Sequence, residues 1–313
     1  MIGPQRAMPS SVAQINAQVK QVKRSLHTHR LYQGSCFDII PTLEKINCIF
    51  ADPPDNIGLA YDGYNDKLAT DQYVELLDDL VEFSCAAAEI VWISFNAKWT
   101  FEMGRIFSNF LDRCPDWEGK ACQQVFTFGQ HNKNDLGNNH RPLWRLKRRD
   151  APLYPDQIKV PSWRQRNGDK RAAPGGRVPG DVLDFQYPEA VEAYLKSLAA
   201  QPWAAGITER VWEALLAELA TTHPGDVMDF PRVTGNSKQR CDWHPTQLHE
   251  ELVQRCILLS TAIGDRVLDP FGGTGTTLRA CKAIGRDCTL IELDPTYCGK
   301  IVEAHPDLQF ISS

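Results

Sequence analysis

The chain has 313 residues, 42% hydrophobic and 23% charged, the composition of an ordinary soluble globular protein. That length holds one large domain, or a catalytic domain with a smaller attachment. No apolar run approaches the roughly 20 residues that cross a bilayer, and the N-terminus lacks a signal-peptide core, so a membrane span is excluded and a cytoplasmic location is expected. The net charge of −5 is uneven: Asn139 to Arg177 hold eleven Lys or Arg against three acids, a net of +8 that leaves −13 elsewhere. A basic island in an acidic chain points to a face that binds a polyanion.

Residues 10 to 26 place Val12, Ile15, Val19, Val22 and Leu26 at helical spacing, which predicts an amphipathic helix. "NCIFA" (47–51) reads as a buried parallel strand that ends at a Pro-Pro corner. "DQYVELLDDLVEFSCAAA" (71–88) reads as a helix, "EIVWISF" (89–95) as a strand and "TFEMGRIFSNFL" (100–111) as a helix. The basic segment is rich in Pro and Gly and poor in apolar periodicity, which predicts loops and short strands. It ends at "PGDVLDF" (179–185), and the near-copy "PGDVMDF" recurs at 224–230. Two helices are predicted between these copies, in a segment (186–223) with five acids and two bases, whose acidity suits packing or self-association better than DNA contact. A helix, "HEELVQRCILLSTA", then the strand "RVLD" (266–269) and the strand "CTLIEL" (288–293) complete an alternation that indicates an α/β fold. The ten cysteines include no C-x-x-C pair and read as reduced thiols. Cys241 and His244 alone are too few for a closed metal site, so no metal is expected.

Two motifs carry chemistry. "RVLDPFGGTGTTLRACKAIG" is strand, glycine turn and helix, in which Gly272, Gly273 and Gly275 let the backbone approach a ligand at a helix start. Glu292 closes the next strand about 20 residues on, where a carboxylate can bond ribose hydroxyls in a doubly wound sheet. A nucleotide-like cofactor follows, although Leu278 stands where the dinucleotide pattern G-x-G-x-x-G needs its last glycine. The second motif is Asp52-Pro53-Pro54. The prolines stiffen the chain and remove two donors, leaving a carboxylate beside an unpaired carbonyl. Such a pair of acceptors suits an exocyclic amine, whose nitrogen it makes more able to attack an electrophilic methyl group.

"DPP" with Asn56, "WHPTQ" (243–247) and "LDPFGGTGTT" (268–277), in this order, resemble the β-group amino-methyltransferases that modify DNA with S-adenosylmethionine. The likeness covers roughly residues 30–185 and 224–302. It implies a Rossmann-like methyltransferase sheet, doubly wound, with an inserted recognition region. The divisions it implies are an N-terminal helix (1–29), a catalytic half (30–131), a basic target-recognition region (132–185), a helical insertion (186–223) and a cofactor half (224–313). Asp52 and the Pro53 carbonyl would hold the target amine in a corner that includes Pro54, Asp55 and Asn56. Ser35, Asp38, His244, Thr246, Gln247, Asp269, Phe271, Gly272, Gly273, Gly275, Thr276 and Glu292 would surround the cofactor. Arg141, Arg145, Lys147, Arg148, Arg149, Arg164, Arg166, Lys170 and Arg171 would meet phosphates of double-stranded DNA. A homodimer through the insertion is a further expectation, and the sequence identifies no restriction partner.

Three positions depart from the family's pattern. Asp55 stands where an aromatic residue usually stacks on the extruded base; Tyr61, Tyr64 and Trp243 are the alternative rings. Ser35 replaces an Asp in Gly-Asp, with Asp38 nearby. Leu248-His249 replaces Lys-Pro. Within the family an initial Asp in the corner accompanies N6-adenine modification and an initial Ser N4-cytosine, which favours adenine. A binding protein that has lost turnover through Asp55 is the reading from another class.

Overall fold

The computed structural model describes residues 27–61, 63–130, 138–158, 227–230, 232–233 and 237–312. The expected N-terminal helix and helical insertion, and the basic residues Arg164, Arg166, Lys170 and Arg171, lie outside these.

Ten strands form one sheet in the order β10-β1-β9-β8-β2-β3-β6-β5-β7, with β4 also on β6. They are β1 (His29–Gln33), β2 (Ile46–Ala51), β3 (Ala88–Ser94), β4 (Trp117–Lys120), β5 (Gln123–Gln130), β6 (Asn138–Arg148), β7 (Val227–Asp229), β8 (Arg266–Asp269), β9 (Asp287–Glu292) and β10 (Gln309–Ser312). From β10 to β3 all neighbours are parallel, and β6 reverses the direction against β3. The helices are α1 (Cys36–Ile39), α2 (Thr70–Ala87), α3 (Thr100–Arg113), α4 (Glu250–Ser260), α5 (Thr276–Ile284) and α6 (Pro295–Ala304).

Alternation along the strands divides the core. Ile49, Val91, Ile93, Leu268 and Ile291 face one side, where α1, α2 and α3 pack. Cys48, Phe50, Ile90, Trp92, Val267 and Leu290 face the other, covered by α4, α5 and α6. On α2 the buried residues Tyr73, Leu77, Leu80, Val81 and Ser84 fall on one stripe. Asp294 caps α6 by accepting from the Thr296 and Tyr297 amides, and Pro295 at the first helical position suits that start.

β8 runs through α5 to β9 on one side, whereas β2 runs through α2 to β3 on the other. The chain therefore diverges between the adjacent strands β8 and β2, and a crevice opens at their carboxyl ends. The glycine turn leaves β8 and the Asp52 corner leaves β2, so both motifs meet in that crevice.

The basic segment corrects one expectation. Residues 138–148 form a single long strand, not loops and short strands. Arg145 and Lys147 are buried on it, which hides the apolar alternation from a reading by charge. Arg145 lies over the Trp92 ring at 5.4 Å, and burial lowers its pKa. Lys147 donates Nζ–H to the carbonyls of Arg148, Arg149 and Ala151 at 2.7, 3.1 and 3.1 Å. Neither is presented to a phosphate.

Candidate active site

The crevice contains one cavity lined by Ser35, Asp52, Pro54, Tyr61, Tyr64, His244, Thr246, Gln247, Asp269, Phe271, Gly272, Gly273, Thr276, Glu292 and Asp294, among others. Most of the expected cofactor residues thus converge with the corner. Asp38 is exposed on α1 and, like Gly275, lies outside the lining.

On the cofactor side the glycine turn is shaped by hydrogen bonds to two carboxylates. Asp269 accepts from the Phe271 amide at 2.9 Å and from the Thr277 hydroxyl at 2.6 Å. Glu292 accepts from the Gly273 amide at 2.7 Å and the Asp294 amide at 2.8 Å. Gly273 (φ 48°) and Gly275 (φ 73°) adopt left-handed backbone, and a Cβ on Gly273 would stand 3.3 Å from His244 Nε2. His244 Nδ1 is 2.5 Å from the Thr246 carbonyl, and burial lowers its pKa. A neutral ring with Nδ1–H donating leaves Nε2 as an acceptor beside the turn. Gln247 accepts from the Cys241 amide at 2.9 Å and donates to the Gln239 carbonyl at 2.5 Å. Its amide holds its own loop, although the residue borders the cavity.

Burial pushes the Asp269 carboxyl up to about 8 against the pull of its Thr277 and Phe271 bonds, and the Asp52 and Glu292 charges push the same way. Burial likewise raises Glu292. Four carboxyl groups (Asp52, Asp269, Glu292 and Asp294) border the cavity, and its described lining contains neither Lys nor Arg. Such a cavity favours a cation with hydroxyls to bond, which is the donor chemistry S-adenosylmethionine requires.

The corner is pinned from several elements. The Tyr73 hydroxyl on α2 donates to the Pro54 carbonyl at 2.5 Å, and Trp99 Nε1 donates to the Asp55 carbonyl at 2.8 Å. Asn56 takes a left-handed backbone (φ 53°), stabilised by a two-way bond between its amide and the backbone of Leu68 at 2.7 and 3.1 Å. Asp66, 2% exposed, accepts from the amides of Asn56, Ile57, Gly58 and Leu59 at 2.7, 3.1, 2.9 and 2.8 Å. The sequence reading missed Asp66, Tyr73 and Trp99. Only the run of an acid among polar loop residues after the corner signalled the first.

Arg141, expected to bind phosphate, is instead part of the corner. Its Nη2 donates to Asp52 at 2.7 Å and stands 2.9 Å from Asp55 Oδ1. Its Nη1 donates to Asp55 Oδ2 at 3.1 Å, and its Nε to Ser94 Oγ at 2.6 Å. Burial works against the guanidinium charge, but Asp52 and Asp55 more than offset it and raise the pKa above the usual range. Arg148 and Arg149 lie at the opposite end of β6, where they pair with Asp116, Asp150 and Glu118.

Of the three candidate rings, Tyr61 and Tyr64 line the cavity. Tyr61 approaches His244 edge-on at 5.6 Å and its hydroxyl reaches Thr246 at 3.5 Å. Trp243 instead packs against Tyr297 at 5.5 Å, under Lys300.

The family model described as DNA methylase matches residues 46–303. The chain is 27% identical over 268 residues to the DNA adenine methyltransferase YhdJ of Escherichia coli (strain K12), covering 81% of this chain and 74% of the relative. It is 23% identical over 302 residues to the type II methyltransferase M.BglII of Bacillus subtilis, covering 90% and 71%. In fold it is similar to the PvuII DNA methyltransferase (cytosine-N4-specific), with TM-score 0.53, 12% identity, and 88% of this chain and 86% of that one covered. TTHA0409 of Thermus thermophilus, in its complex with S-adenosyl-L-methionine, has TM-score 0.51 at 14% identity, covering 91% and 99%.

Proposed function

Because the chain belongs to the DNA methylase family, we propose that it methylates the exocyclic N6 amine of adenine, extruded from double-stranded DNA. The observation that carries this reading is that Asp52 and its proline corner open onto the same cavity as the glycine turn and Glu292. Bound S-adenosylmethionine supplies a methyl group on a cationic sulfur. Glu292 accepts from the ribose hydroxyls, and Asp269, held protonated at neutral pH by its burial, gives up its proton as the ligand's cationic end binds.

Asp52 and the Pro53 carbonyl accept the two N–H groups of the target amine. The Pro54 carbonyl is already engaged by Tyr73. Two acceptors draw the nitrogen lone pair out of ring conjugation and aim it at the methyl carbon. S-adenosylmethionine would supply the methyl group to the amine and keep the electron pair of the C–S bond on its sulfur, and Asp52 would pass the surplus amine proton to water. Extrusion brings the base out of its stack and into reach of the corner.

Adenine is favoured by the Asp that opens the corner, and YhdJ, whose name states adenine, is among the relatives that most of this chain matches. The test is to incubate the protein with S-adenosylmethionine and DNA from a host without methylation, digest to nucleosides, and measure methylated bases by mass spectrometry. N6-methyldeoxyadenosine is expected, and it should vanish with Asp52→Ala while cofactor binding survives. N4-methyldeoxycytidine would keep the mechanism and replace the base. Turnover retained by Asp52→Ala would remove the mechanism.

A further inference from the structure

The corner residue expected to be a ring is a buried carboxylate, 6% exposed. Asp55 turns both oxygens to Arg141, whose guanidinium also donates to Asp52 and Ser94. Asn96 Nδ2 approaches Asp55 Oδ2 at 3.4 Å. These groups come from the ends of β2 and β3 and from β6, so three strands converge on one planar cation. A guanidinium is a rigid fork, and turning this one would break several charge-assisted hydrogen bonds together.

The charges also balance. Asp52, Asp55 and Arg141 sum to the single negative charge that Asp52 would have alone. Without Arg141, two carboxylates would face each other and resist joint ionisation. Without Asp55, an unopposed guanidinium would cancel the negative charge that Asp52 offers the amine. Tyr61 from the loop, Tyr73 from α2, and His244 and Asp269 from the cofactor half also face this cluster.

We propose that Arg141 is a positioning residue that fixes the orientation and charge of Asp52, and that Asp55 is the counter-charge that holds Arg141, in place of the ring usual at this corner. The proposal rests on the methyl-transfer reading above. Arg141 restrains Asp52 Oδ1, so that Oδ2 and the Pro53 carbonyl face the amine. Asp55 is then a working part of the corner and not a sign of lost activity.

The test measures transfer of labelled methyl from S-adenosylmethionine to unmethylated bacterial DNA, with cofactor affinity measured by calorimetry. The variants are D55N, R141M, R141K and the double variant D55N/R141M. R141M should lower kcat by roughly 100-fold at neutral pH with cofactor affinity unchanged, and its rate should climb with pH as the carboxylate pair loses a shared proton. The double variant should recover roughly tenfold over R141M, because the competing carboxylate is gone. R141K, which keeps the charge without the fork, should fall between R141M and the wild type. An additive loss in the double variant, or an R141M as active as the wild type, overturns the proposal. Carboxyl signals followed by NMR in the cofactor-free protein read the cluster without turnover, and the loss of the guanidinium in R141M should leave a proton shared between Asp52 and Asp55. A wild type that transfers no methyl yet passes this second test refutes the transfer reading alone. An R141M that takes up no proton refutes the proposal.

Discussion

Asp269 links the cofactor site to pH. Its carboxyl titrates at about 8 in the folded protein, against 3.8 for an ordinary aspartate. The folded state therefore binds a proton that the unfolded chain has already released, and the stability this gives is complete below about 4 and lost as pH rises through about 8. Asp269→Asn can still accept from Phe271 and donate to Thr277, so urea unfolding of that variant should lack the decline between pH 4 and 8. Binding of cationic S-adenosylmethionine favours the ionised carboxylate, so wild-type affinity should rise with pH over the upper part of this range, and the variant's should not. At Asp66, one carboxylate serves four amides, and Asp66→Ala leaves them without that partner. The expected cost is about 3 kcal/mol by urea unfolding, with the loop after the corner exchanging its amide protons faster. The charge of Asp52 was readable from its proline neighbours. The partner of Asp55 was not, because it lies 86 residues away.

At the scale of elements, the glycine turn and β6 had opposite fates. The turn was legible because left-handed backbone after a strand needs glycine, and Gly273 and Gly275 have that backbone. Gly273→Ala adds a Cβ 3.3 Å from His244 Nε2 on a strained φ. Calorimetry should find cofactor affinity reduced by roughly tenfold or more, while overall stability falls by about 1 kcal/mol. β6 was hidden because Arg145 and Lys147 occupy inward positions of a strand, and composition counts a charge without seeing the ring and carbonyls that satisfy it. Tyr73 shows the same limit: in sequence it belongs to the apolar stripe of α2, and only the packing of α2 beside the corner gives its hydroxyl the Pro54 carbonyl.

For the whole molecule, the basic island is smaller as a DNA-facing feature than its count suggests. Arg141, Arg145 and Lys147 are engaged within the sheet, and Arg148 and Arg149 stand at the end of β6 away from the corner. Duplex binding followed by fluorescence anisotropy should therefore keep its salt dependence when Arg148 and Arg149 become Gln. Replacing Arg164, Arg166, Lys170 and Arg171 by Gln should flatten the slope of log affinity against log salt by about 0.9 for each phosphate no longer neutralised. A homodimer through residues 186–223 is the matching expectation for the insertion, checked by light scattering with and without that segment. Among the described residues no helix is long and apolar enough to cross a membrane.

The sequence by itself determined the alternating strands and helices, the glycine turn with its acid one strand later, and the rigid acid-bearing corner. Each of these is written in short-range periodicity or in the backbone freedom of Gly and Pro, which act over a few neighbouring residues. Only the tertiary structure decided that the two motifs share one cavity, since that depends on β8 lying beside β2. It also decided that Arg141 joins Asp52 to Asp55, and that its neighbours on β6 are core rather than surface. Charge partners are chosen by three-dimensional approach and desolvation, and linear spacing carries neither.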